Sequence, residues 1–132
     1  LNKPNVTVFP HVGGSTGEAE LNCAIMAGQT IRRFMETGEI VNSVNFPRVQ
    51  QVLSAPYRIT LINKNVPNIV ARISTAVSDF NINIDNIINR SKGEYAYTLL
   101  DLDETDKSKI DELVAKFEAG DNIVRVRLIK GK

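Results

Sequence analysis

From Tyr57 onward the apolar residues change period in an order that few architectures accept. Tyr57, Ile59 and Leu61 alternate with Arg58 and Thr60, which predicts a strand. Ile69, Val70, Ile73, Ala76, Val77 and Phe80 then fall on one helical face. Residues 81–89, with Ile82, Ile84, Ile87 and Ile88, read as a strand. Ser91-Lys92-Gly93-Glu94 reads as a hairpin turn into a second strand over 95–102. Residues 106–118 repeat the helical pattern with Ile110, Leu113, Val114 and Phe117 inward, and Gly120 follows as a stop. Val124, Val126 and Leu128 alternate with Arg125 and Arg127 in a last strand.

The order is βαββαβ, the α+β ferredoxin-like unit, with two helices on one face of a four-stranded antiparallel sheet. That fold carries many functions and names none of them. The whole chain has 132 residues, enough for one domain or a small domain with an appendage. Its net charge of +1, with both signs intermixed, does not favour a polyanion-binding surface. A single cysteine, Cys23, excludes an internal disulfide framework and a multi-cysteine zinc site. No metal is therefore expected. No apolar run is long enough to span a membrane and no signal-peptide pattern is present, so neither membrane nor secretion is expected and a cytoplasmic location fits.

The first 55 residues read differently. Residues 5–9 alternate, which predicts a short strand closed by Pro10. After His11-Val12-Gly13-Gly14, Ser15 and Glu18 have capping-box spacing, so a helix is expected to start there. Leu21, Ala24, Ile25, Gly28, Ile31 and Met35 share one face of it, Thr37-Gly38 ends it, and Cys23 inside it is expected to be a packing residue. One strand and one helix cannot bury their own apolar faces, so this segment needs a partner surface. A chain that begins at Leu1 rather than methionine is expected to be a piece of a longer one. Residues 39–55, punctuated by Pro47 and Pro56, read as an irregular connector. The expected division is 1–55 and 56–132.

Three sites could carry chemistry. His11, the only histidine, stands at a strand exit before a Gly-Gly turn, where it suits either a general acid/base or an exposed loop residue. Gly13-Gly14-Ser15-Thr16 lacks the spacing of the known phosphate loops. The richest stretch is Asn63-Lys64-Asn65-Val66-Pro67-Asn68, where a strand gives way to a helix that Pro67 is expected to open. Free N–H groups at a helix start favour an anion, and asparagine amides both donate and accept. Asparagines also cap helices and make turns with no ligand at all. A competing motif lies on the third strand, where Lys92-Gly93 precedes Tyr95-Ala96-Tyr97. This is similar to the base-stacking strand of RNA-recognition domains, but Glu94 interrupts it and Asp101, Asp103, Glu104 and Asp106 flank it.

Pro10 and the run from His11 to Thr16, continuing through the helix to Val44-Asn45-Phe46-Pro47, resemble the catalytic-histidine segment of D-2-hydroxyacid dehydrogenases, in particular the phosphoglycerate branch. The βαββαβ unit from Tyr57 resembles the ACT domain, the amino-acid-sensing module that ends many of these enzymes. Together the two resemblances cover nearly the whole chain. They imply the C-terminal part of an NAD-dependent enzyme of L-serine biosynthesis, in which His11 is the general acid/base. The glycine-rich dinucleotide loop would lie upstream, so this chain alone is expected to bind no NAD and to be inactive. In serine-regulated relatives an amino acid sits where the first ACT strand meets its helix. The resemblance carries that effector site onto Asn63 and Asn65, with Asn83 of a neighbouring subunit and Asn68 beside it. It also implies a homodimer through the ACT domains, within a tetramer in some parent enzymes. Asn63 stands where histidine is common, and Asn68 where glycine is common.

Overall fold

The computed structural model describes residues 4–10 and 13–131. Its centre is β1 (Tyr57–Lys64), which hydrogen-bonds antiparallel to β3 (Tyr95–Asp103) on one side and to β4 (Ile123–Lys130) on the other. β2 (Asn83–Lys92) pairs with the far side of β3, so the sheet runs β2-β3-β1-β4 with every neighbour antiparallel. Helices α2 (Ile69–Asp79) and α3 (Lys107–Glu118) cross one face. This is the βαββαβ order that the sequence predicts, and the element bounds shift by only a few residues.

The helix face of the sheet is apolar. Ile59, Leu61, Leu100 and Leu102 point into it and meet Ile73 and Val77 of α2 with Ile110, Leu113 and Phe117 of α3. Each such side chain contributes about 1.5–3 kcal/mol when fully buried. The opposite face is also covered. α1 (Gly17–Thr37) ends at its rim, and residues 38–55 lie over it, bringing Ile40, Val49 and Phe46 against Tyr97 and Leu99. Residues 39–55 are as irregular as expected, with one antiparallel bridge between Ile40 and Val49. Gly38 makes the turn from α1 onto the sheet with φ of 72°. A Cβ there would stand 2.6 Å from Thr60 Cγ2, so glycine is needed twice over.

Three local expectations are corrected. Residues 5–9 form no strand, because among the described residues no neighbouring strand is placed to complete their hydrogen bonds. Thr16, not Ser15, caps α1, its hydroxyl accepting from Ala19 N at 3.1 Å. Cys23 is exposed, as are Leu21, Ile25, Ile31 and Met35, and α1 buries no residue along its length. Among the described residues no helix is long and apolar enough to cross a membrane. No cluster of three or more metal-ligating side chains occurs among them either.

Candidate functional site

The loop after β1 is held from both sides by main-chain bonds. Lys64 N donates to Asn122 O at 2.8 Å, and Asn65 N donates to Glu94 O in the β2–β3 turn at 2.9 Å. Asn65 adds its side chain to the same turn, Nδ2 donating to Gly93 O at 3.2 Å. Its Nδ2 group therefore faces the turn, and its oxygen, an acceptor, is left for another partner.

Pro67 does not open α2. It stands two residues before it, and Asn68 is the N-cap with φ of 65° and no side-chain capping bond. The left-handed backbone explains why glycine suits this position. Asparagine is among the few other residues that tolerate it. Asn68 is exposed, and its carbonyl accepts the α2 bond from Arg72 N at 3.0 Å. The first turn of α2 contains no acidic residue, so its N–H groups and dipole meet no carboxylate of their own helix.

Asn63 stands apart from its neighbours. It is fully buried at the end of β1, where the register with β4 shifts. Its Nδ2 donates to Lys64 O at 2.9 Å, and its Oδ1 accepts from Thr98 Oγ1 at 2.9 Å. Thr98 in turn accepts from Asn89 Nδ2 at 2.7 Å. Sequence reading missed Thr98 and Asn89. Their signal is register: Thr98 shares strand parity with Leu100 and Leu102, which face the helices, so a polar residue there must find a buried partner.

Asn83 begins β2, exposed and opposite Asp103, whereas Asn63 is opposite Ala96. The seven residue steps along β3 from Ala96 to Asp103 span about 23 Å. Asn63 and Asn83 of one chain are therefore at opposite ends of the sheet. His11 lies outside the described residues.

On the covered face, Arg58 is fully buried and uses all five of its N–H donors. Nε and Nη2 hold the two Asp101 oxygens at 2.5 and 2.7 Å. Nη1 donates to Thr37 O and Gln51 O at 2.9 Å each, and Nη2 to Val52 O at 3.1 Å. Arg127 lies over the Phe34 ring at 5.0 Å and donates to the carbonyls of Phe34 and Met35. Tyr97 Oη donates to Gly38 O at 2.6 Å, and burial raises its phenol above the usual range. With its ring 2% exposed, Tyr97 cannot stack on a nucleobase, and the RNA-recognition reading loses its central aromatic.

No family model matches the chain. Over 98% of its length it is 32% identical to D-3-phosphoglycerate dehydrogenase 2 of Saccharomyces cerevisiae, covering 28% of that protein. Its homologues are D-3-phosphoglycerate dehydrogenases. The Escherichia coli D-3-phosphoglycerate dehydrogenase is 26% identical over 95% of the chain, and that of Dictyostelium discoideum 30% over 96%, each with 30% of the relative covered. The chain spans under a third of the length of the curated relatives it matches, and it matches their C-terminal region. Among solved structures, the ACT domain from GTP pyrophosphokinase of Chlorobium tepidum superposes with a TM-score of 0.50 at 18% identity. That match covers 55% of this chain and 95% of the other. A homoserine dehydrogenase from Thiobacillus denitrificans gives 0.51 at 17% identity, over 90% of this chain and 30% of the other. The likeness to the ACT domain establishes the ferredoxin-like fold. The relation to phosphoglycerate dehydrogenases bears out the resemblance seen in the sequence.

Proposed function

We propose that this chain is the regulatory C-terminal region of an NAD-dependent, cytoplasmic D-3-phosphoglycerate dehydrogenase of L-serine biosynthesis. Its ACT domain holds a small amino acid, L-serine, at an interface between two copies. The observation that carries the reading is the match of nearly the whole chain to the C-terminal region of these dehydrogenases. The chemistry at the loop is compatible with it. The oxygen of Asn65 suits an ammonium, and the uncapped start of α2 suits a carboxylate. β2 is an edge strand, so two copies can pair along it. A two-fold axis at Ile87 would set Asn83 of one copy against Ser91 of the other. Ser91 is level with Ala96 and hence with Asn63. Asn83 would then reach the site only across the interface.

The residues here do not fit a dinucleotide. The sheet is antiparallel throughout, and among the described residues no strand is followed by a glycine-rich turn into a helix. In the whole enzyme NAD would be held by other residues, and His11 would exchange a proton with the substrate. This chain alone is expected to oxidise no 3-phosphoglycerate.

A second reading, a dimerisation module without an effector, is favoured by one observation: Asn63 is fully buried, and both its amide nitrogen and its amide oxygen already have partners inside the protein. Calorimetric titration separates the two. L-serine is expected to bind, and Asn83→Ala to weaken binding at least about tenfold, the loss of one charge-assisted bond. A dimer that gives no heat at millimolar serine would overturn the effector site and leave the dimerisation module.

A further inference from the structure

The bonds around Asn63 have a compulsory direction. A backbone carbonyl can only accept, so the Asn63 amide nitrogen must face Lys64 O and its oxygen must face Thr98. Thr98 has one proton, which that oxygen takes. Its hydroxyl must then accept from the next residue, and Asn89 supplies the N–H. One main-chain carbonyl thus orients three side chains across β1, β3 and β2. Asn89 is half-buried, and no buried side-chain nitrogen or oxygen among the described residues lacks a partner. The outer end of the chain therefore reaches the surface of the edge strand as an amide oxygen.

We propose that Asn89, Thr98 and Asn63 form a one-way hydrogen-bond chain that positions the β1–α2 loop, and that Asn63 serves the site by holding Lys64 O instead of touching a ligand. The burial of Asn63 leaves it no surface to offer. Its bond to Lys64 O anchors the residue whose carbonyl also accepts from Val66 N at 3.0 Å, within the turn that leads to Asn68. Asn63, Thr98 and Asn89 are positioning residues. Their role in effector binding rests on the reading above, whereas their role in holding the loop does not.

The middle link provides the test, because Thr98 has both a shape and a proton. Thr98→Val keeps the shape and loses the hydroxyl, and Thr98→Ser does the reverse. If Thr98 only fills space, valine is the milder change. If it relays a hydrogen bond, serine is. Amide hydrogen exchange on the full chain reads the loop directly. The protection factor of the Val66 amide is expected to fall about tenfold in Thr98→Val and to stay within about twofold in Thr98→Ser. Asn89→Asp, which keeps its shape and can only accept, is expected to reproduce the valine loss and keeps the test open if the valine variant fails to fold. Equal protection in the valine and serine variants, or greater protection with valine, would overturn the chain. L-serine affinity is expected to follow the same order. If the unmodified protein takes up no serine, only the effector reading falls, and the exchange data still decide this one.

Discussion

On the helix side of the sheet, Ile59, Leu61, Leu100 and Leu102 meet two helices through apolar contact alone. On the other side, a buried guanidinium gathers Asp101, the end of α1 and two carbonyls of the connector into one cluster. The first arrangement is many small, nearly interchangeable contributions. Losing a methyl group leaves the rest intact. The second is a few directional bonds around two buried charges, and removing one charge strands the other. Ordinary packing therefore holds the helices, while the connector adds to its apolar contacts with Tyr97 and Leu99 a set of directional bonds centred on one residue, Arg58.

The largest expected effect tests that contrast. Arg58→Met should cost about 3–5 kcal/mol in urea denaturation, because Asp101 is left buried without its partner. Adding Asp101→Leu should recover most of that. Ile73→Val on the helix face should cost only about 1 kcal/mol. If Arg58→Met cost no more than Ile73→Val, the two faces would be energetically alike.

A smaller effect sharpens the contrast through pH. Tyr97→Phe removes the bond to Gly38 O and should cost about 1 kcal/mol at neutral pH. Burial raises the folded-state pKa of this phenol, so the folded form keeps its proton where the unfolded chain has begun to lose it. The Tyr97 contribution is therefore complete below about pH 10 and declines as pH rises above it. Denaturation curves measured between pH 8 and 11 should show a steeper alkaline loss in the unmodified protein than in Tyr97→Phe.

The smallest effect concerns the loop. Asn68→Gly relieves a left-handed side-chain conformation and loses no capping bond, so stability should rise by about 0.5 kcal/mol in thermal denaturation. A loss of stability would mean that the Asn68 side chain does something its hydrogen bonds do not reveal.

The helix face was legible because its alternation is pure: Tyr57, Ile59 and Leu61 point one way, and the intervening Arg58 and Thr60 look solvent-facing. That same alternation concealed the other face. Nothing in a period of two distinguishes a charge in water from a charge covered by residues arriving from 38–55, and Asp101 is 43 positions away from Arg58. The candidate loop was legible as a place and misleading in detail. Asparagine count drew attention to 63–68, but the three amides do different things. Asn63 is turned inward, Asn65 is tied to the hairpin, and Asn68 is there for its backbone. Thr98 and Asn89 escaped notice because only strand pairing brings them beside Asn63.

α1 has no basic residue in its last turn, and the sheet supplies what is missing. The carbonyls of Phe34, Met35, Thr37 and Gly38 are received by Arg127, Arg58 and Tyr97, from three different strands. A helix gripped at its C-terminal end, with no residue buried along its 21, is a lever about 31 Å long. A rotation of about 10° at the grip would carry its far end through about 5 Å, with no change in the helix itself.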